Sequence, residues 1–370
     1  MLHVYKDFHP VPGGIEGHIR DLAVRLRRLG VDASVLVTSP DRHTRREVLF
    51  GVPVTKAGRL GQLASTPISP ALCLELWRTE ADVYHLHFPY PLGEAAYLLR
   101  PRGRLVITYH SDIVRQRNLL RFYRPLLGRL LRRADAILVT SPQYLESSPF
   151  LRPVAAKCRV VPLGIDLSRF DAFDPDRVAA WRAKLGSPLV LFVGRFRYYK
   201  GLDYLLGALR LVPGVRLGLV GDGPAGPRLR RLVAEFGLES RVTFLGVLPD
   251  GELPALYRAA DVYVLPATER SEAFGISLLE AMAAGLPVVT TELGTGTSYV
   301  NRHRETGLIV PPRDPEALAA ALAELLADPE RRRAMGSAGR KRVEAEFTLD
   351  RMVGEVLRVY RGVLQNDGRF

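Results

Sequence analysis

Two carboxylates eight positions apart, Glu272 and Glu280, lie in TERSEAFGISLLEAMAAGLPVV (268–289), where an apolar, strand-like run gives way to a strongly helical one. A helix starting near Phe274 or Gly275 leaves the backbone N–H groups of Gly275, Ile276, Ser277 and Leu278 at its amino end, where its dipole favours an anion. Glu272 then stands just outside that end, and Glu280 about one and a half turns within. Eight residues of helix rise about 12 Å. Paired glycosidase carboxylates need separations of about 5–9.5 Å, so that chemistry fits poorly. A ligand with hydroxyl-rich groups at both ends and a diphosphate between them fits better. A nucleotide sugar is such a ligand.

Arg195 and Lys200 form a second group, in GRFRYYKG (194–201) just after the strand-like run PLVLFVG. A planar fork and a point charge suit a diphosphate whose negative charge grows as it leaves. The alternative is two solvated surface charges. His110 ends the run RLVITYH (104–110), and Asp112 follows in HSDI with a weaker claim to a site. His85 and His87 alternate along DVYHLH and point the same way. With no third ligand nearby in sequence, no metal site is expected from them. Asp174 and Asp176 match a D-x-D pattern, but their place at a helix start predicts capping.

The elements that must position these residues follow a regular rhythm. Apolar runs such as LHVYKDF (2–8), ASVLVTS (33–39), DVYHLH (82–87) and RLVITYH (104–110) alternate with amphipathic stretches of helical length. The second half repeats the pattern through PLVLFVG (188–194), VRLGLVG (215–221), RVTFLG (241–246), DVYVLPA (261–267) and LPVVTTE (286–292). Nearly continuous apolar runs suit strands covered on both faces, which predicts two doubly wound α/β domains. At 370 residues the chain exceeds what one core usually supports. The expected boundaries are 1–165 and 166–346, with a C-terminal helix over 347–370 packing back on the first domain. Ligands of open α/β sheets bind beyond the carboxyl ends of the strands, and two such domains facing each other would form a cleft there.

Composition narrows the class. Cys73 and Cys158 are the only two cysteines, far apart, as suits incidental thiols rather than a disulfide framework or metal site. The amino terminus has no basic segment followed by an apolar one, and no apolar run of about 18 residues is present; the expectation is a cytoplasmic protein. The net charge of +13 is uneven: residues 1–166 hold 24 basic and 14 acidic residues. That excess predicts an anionic partner for the first half.

The Glu272–Glu280 pair followed by AMAAGLPVV, together with VGRFRYYKG, VGDGP (220–224) and VTFLG (242–246), resembles the large retaining glycosyltransferase family 4, of GT-B architecture. The resemblance covers essentially the whole chain and includes members that build bacterial surface polysaccharides or lipid-linked glycans. It implies transfer of a hexose, mannose-like or glucose-like, from a UDP- or GDP-linked donor to a glycan or lipid-linked acceptor. Glu272 would contact the donor sugar, Glu280 the ribose, and Arg195 with Lys200 the phosphates. Gly13 and Gly14, in PVPGGIEGH (10–18), would bring backbone close to the phosphates and acceptor, Gly14 being favoured because a side chain would block approach. His110 would contact the sugar near the reacting carbon. Gly223 and Val247 would neighbour the nucleotide, with ordinary turn residues as the alternative. The resemblance further implies retention without an enzymic nucleophile, the departing phosphate taking the acceptor's proton, and no metal or other cofactor.

The segment RQRNLLRFYRPLLGRLLRR (115–133) has seven arginines and no acidic residue. Leu119, Tyr123, Leu126, Leu130 and Ala134 form a stripe suited to core packing. Leu120, Phe122, Leu127 and Leu131 leave apolar groups beside the arginines, which suits docking on an anionic membrane. A solvated face and an acidic soluble acceptor are the alternatives. Two rivals from other classes are a basic nucleic-acid-binding protein, which would have no use for Glu272, and a two-domain small-molecule binding protein without catalysis.

Overall fold

The computed structural model describes the chain apart from residues 12, 64, 65, 114–116 and 366–370 and the side chains of 117–120. The chain gathers into two compact units, Met1–Leu163 with Leu349–Phe370, and Gly164–Thr348. Both are Rossmann-like α/β folds built on mostly parallel sheets.

The first unit carries an eight-stranded sheet in the order Cys158–Val160, Ala136–Val139, Arg104–Tyr109, Val83–Phe88, Leu2–Val4, Ser34–Thr38, Val52–Ala57 and Arg45–Leu49. Only the last pair is antiparallel. Val83–Phe88 is buried at all six positions, as its continuous apolar-aromatic run demands. The helix Gly14–Arg28 turns His18, Ile19, Leu22, Ala23 and Leu26 inward, a single stripe at helical spacing. The helix Leu349–Gln365 does the same with Met352, Val353, Val356, Tyr360 and Val363. The two are tied by an Arg25–Asp350 ion pair.

The helix Arg117–Arg133 corrects part of the sequence expectation. Leu127 and Leu131 are 1% and 2% exposed, so they pack in the core with Leu130 instead of flanking the arginines. Of the apolar residues assigned to a membrane face, Phe122 stands out at 82% exposure. Residues 115 and 116, and the side chains of Leu119 and Leu120, lie outside the described residues. Among the described residues no helix is long and apolar enough to cross a membrane.

The second unit is an all-parallel six-stranded sheet in the order Val242–Gly246, Arg216–Val220, Leu189–Val193, Val262–Leu265, Val288–Thr291 and Gly307–Val310. Numbered along the chain this is 3-2-1-4-5-6, the dinucleotide-fold order. The order reverses between Leu189–Val193 and Val262–Leu265, and the crevice beyond that pair is where such sheets take ligands. The Asp174 carboxylate accepts the Asp176 amide at 2.9 Å and caps the helix Pro175–Leu185, which accounts for the D-x-D pattern. Pro329–Glu346 and Leu349–Gln365 are separate helices, broken at Phe347 and Thr348. Cys73 is half-buried and Cys158 buried, and both are free.

Candidate active site

In the second unit, the loops 194–201 and 266–275 leave the two strands at which the sheet order reverses. Gly201 joins them: it adopts φ 67°, and a Cβ there would lie 1.9 Å from the carbonyl oxygen of Pro266. No side-chain-bearing residue fits so close an approach. The contact sets Lys200 against the second loop, where its Nζ lies 2.5 Å from Glu272 Oε2 with both residues buried. Burial opposes the lysine's charge, but the Glu272 carboxylate and Tyr199 more than offset it, and Lys200 titrates above its ordinary value. Thr295 Oγ1 donates to the Glu272 carbonyl at 2.9 Å and pins the loop from behind. Two residues assigned on sequence to different parts of a ligand, a phosphate lysine and a sugar carboxylate, thus form one ion pair.

Arg195 is exposed, five positions before Lys200. Gly223 closes on its loop: a Cβ there would lie 2.5 Å from the carbonyl of Phe196, so backbone approach explains this glycine. Val247 is 64% exposed beyond the strand Val242–Gly246.

The helix after Glu272 runs Ile276–Ala283 with Gly275, at φ 86°, as its N-cap. The Leu278 amide already donates to the Gly275 carbonyl at 2.9 Å, so the expected set of four anion-binding amides reduces to Gly275, Ile276 and Ser277. One turn further, Glu280 Oε2 accepts the hydroxyl of Tyr257 at 3.0 Å, and Arg169 Nη1 approaches Oε1 at 3.8 Å. Tyr263 donates to Ser277 Oγ at 2.7 Å. Burial, with Glu280 nearby, raises the Tyr257 phenol well above its ordinary value, so it remains a donor. The bracing residues Tyr257, Tyr263 and Arg169 are invisible in a motif search, since they come from other elements and are ordinary core or surface types.

In the first unit, Gly13 and Gly14 are exposed at the amino end of Gly14–Arg28. The loop before them leaves Leu2–Val4, which together with Val83–Phe88 marks the reversal of strand order in this sheet. His110 follows Arg104–Tyr109 and is 5% exposed. Asp112 accepts the Tyr109 hydroxyl at 2.9 Å and the Ser148 hydroxyl at 2.8 Å, which ties it into the local structure.

The expectation that His85 and His87 lack further ligands nearby is overturned. His3, His18, His85, His87 and His110 are all buried, five of the eight histidines, and cluster in this unit. His87 bonds His3 and His110 at 3.1 and 3.0 Å; His85 bonds Tyr360 and Thr108 at 2.5 and 2.6 Å. Burial first, then neighbouring imidazoles, drive the pKa values down, His3 to about 3 and His85 and His87 well below the ordinary value. Burial lowers His18 to about 4. The H-x-H pair and His110 at a strand end were visible in the sequence, but nothing there joined them to one another or to His3 and His18, which come from separate elements.

Residues 12–169 match the family model Glycosyltransferase Family 4, and residues 175–342 match Glycosyl transferases group 1. The chain is 38% identical to O-antigen chain mannosyltransferase C of Escherichia coli over 99% of both chains. It is 41% identical to D-rhamnosyltransferase WbpZ of Pseudomonas aeruginosa, over 94% of this chain and 92% of that one. Among solved structures, sucrose-phosphate synthase from Thermosynechococcus elongatus matches with a TM-score of 0.84 and 27% identity, covering 99% of each chain. The readings as a nucleic-acid-binding or non-catalytic binding protein are thereby set aside. Matched over nearly its whole length, with both domains recognised in order, the chain belongs to glycosyltransferase family 4 and has the GT-B fold.

Proposed function

We propose that this enzyme transfers mannose or a 6-deoxymannose from a nucleoside diphosphate to a glycan or lipid-linked acceptor, with retention of configuration and without a metal. The observation that carries the reading is the buried Lys200–Glu272 pair at the reversal of strand order in the second unit. Lys200 and Arg195 would take the diphosphate, whose charge grows as the glycosyl bond breaks. The amides of Gly275, Ile276 and Ser277 would add fixed dipoles. Glu272 would accept hydroxyls of the sugar. Glu280, oriented by Tyr257, would accept those of the ribose. Gly223 and Val247 would flank the nucleotide, Gly13 and Gly14 would offer backbone N–H groups, and His110 would contact the sugar.

Glu272 is committed to an ion pair, which favours a binding role over nucleophilic attack. The departing phosphate would then collect the acceptor's proton, leaving positioning and charge stabilisation to the protein. The names of the relatives support the choice of sugar: one is a mannosyltransferase of the O-antigen chain, another a rhamnosyltransferase.

The test is release of nucleoside diphosphate from a panel of UDP- and GDP-linked sugars, with and without EDTA, and product anomeric configuration by NMR. Lys200→Ala and Glu272→Ala should each lose activity by about 100-fold or more. Turnover of no donor, or full activity in both variants, would sink the reading; loss of activity in EDTA or an inverted product would remove the metal-free or retaining part.

A further inference from the structure

We infer that His87 is a positioning residue that holds His110 in its Nδ1–H tautomer, so that His110 meets the substrate as a hydrogen-bond donor. The inference rests on the proposed contact between His110 and the donor sugar. Three imidazoles form a hydrogen-bonded chain through the sheet: His3 Nδ1 to His87 Nε2 at 3.1 Å, then His87 Nδ1 to His110 Nε2 at 3.0 Å. A neutral imidazole has one donor and one acceptor nitrogen, so choosing one proton sets all three. Burial favours the neutral form at every ring in the chain.

Two directions are available. If protons point from His110 inward, His3 Nε2 must carry a hydrogen, and that nitrogen is sealed from solvent with no partner. If they point outward, the same nitrogen carries only a lone pair. A buried N–H without an acceptor is rare and costly, and an unused acceptor less so. The chain therefore runs outward: His3 Nδ1–H donates to His87 Nε2, and His87 Nδ1–H donates to His110 Nε2. With that nitrogen spent as an acceptor, His110 keeps its proton on Nδ1. His110 Nδ1, unlike His3 Nε2 and His18 Nε2, is not among the sealed, unpartnered nitrogens.

The rival use of the cluster is a metal site. The trios His3–His85–His87 and His18–His87–His110 each have nitrogens within 4.8 Å of one another. Yet both ring nitrogens of His87 and both of His85 are already hydrogen-bonded. The two bare nitrogens, His3 Nε2 and His18 Nε2, fall in different trios. Neither trio offers three uncommitted ligands, so hydrogen bonding explains the cluster better.

Histidine-selective 15N labelling of the full-length protein reads the tautomers directly through two-bond ring correlations, with His110→Gln and His87→Asn assigning the signals. A neutral His110 protonated on Nδ1 is expected. An Nε2–H or cationic His110, or stoichiometric zinc, cobalt, nickel or copper by elemental analysis, overturns the inference. His87→Leu should lower kcat by about 10-fold or more with little change in KM. His87→Asn, whose amide can still donate from the Nδ1 position, should recover most of it. Equal kcat in the two variants overturns the inference, whether both are active or both impaired. If His87→Leu does not fold, the wild-type tautomer decides alone. His110→Ala with unaltered donor kinetics would instead remove the proposed His110 contact, an outcome distinct from the tautomer result.

Discussion

At the scale of single residues, the candidate site is a set of groups that each need a second group to be useful. Glu280 shows this most clearly. Its Oε2 is held by the Tyr257 hydroxyl and its Oε1 faces Arg169, so its orientation is set before any ligand arrives. Glu280→Ala should raise the donor KM by about 10-fold or more, the loss of a hydrogen bond to a charged group, while changing kcat less. Tyr257→Phe keeps the carboxylate and loses its brace, and should raise KM by a few-fold at most. Initial-rate kinetics over a range of donor concentrations check both. An effect of Glu280→Ala confined to kcat would place this residue at the reacting centre instead.

At the scale of elements, two features carry predictions. Gly201 lets the loop after Leu189–Val193 touch the loop after Val262–Leu265, with φ 67° and 1.9 Å from a would-be Cβ to the Pro266 oxygen. Gly214 has a comparable φ of 78° but open space around it. Gly214→Ala should therefore cost only the left-handed backbone penalty of about 1–2 kcal/mol. Gly201→Ala adds a backbone clash, and should lower Tm further and abolish donor binding. Thermal melts with and without nucleoside diphosphate separate the two. The second feature is the helix Arg117–Arg133, whose Arg121, Phe122, Arg124, Arg129, Arg132 and Arg133 are exposed. This face should bind vesicles of anionic lipid at low salt and release them as salt rises. Phe122→Ser should weaken that binding. Failure of the wild type to sediment with such vesicles would remove the membrane-docking reading of this segment.

At the scale of the whole molecule, the buried histidines make stability depend on acid. Their folded pKa values lie below the ordinary 6.5, near 3 for His3 and 4 for His18, so between those values and 6.5 the unfolded chain binds more protons than the folded one. Stability then rises with pH, and falls as pH drops below 6.5, by about 1.4 kcal/mol per pH unit for each fully neutral histidine. Glu94 acts oppositely: burial raises it to about 8, so its folded form holds a proton that the unfolded form has lost above 4.5, and stability falls as pH rises toward 8. Five histidines against one glutamate predict a steep net loss between pH 6.5 and 5. Melting curves across that range check it, and a flat Tm would show that the imidazoles are not neutral in the folded chain.

Much of this molecule was legible before folding. Short continuous apolar runs alternating with amphipathic helical stretches suit strands covered on both faces, so two doubly wound sheets followed from the pattern. Glu272, Arg195 and Lys200 are candidates that local sequence offers, because such sheets take ligands just past their strand ends, and Glu280 follows within the helix Ile276–Ala283. The sequence could not show that Lys200 and Glu272 pair, because that depends on the order in which strands assemble: Val190 is 72 residues from Val262 but is its partner in the sheet. Nor could it show that Leu127 and Leu131 face inward, since a helix with apolar residues on several sides does not declare which side meets the sheet. The histidine chain is the extreme case. His3, His87 and His110 lie on or just after three strands, Leu2–Val4, Val83–Phe88 and Arg104–Tyr109, that neighbour one another in the sheet, and only register brings their rings within hydrogen-bonding distance. Residue types and spacing determine which groups are available at each strand end; which of them meet is decided by register and burial, properties of the assembled sheet alone.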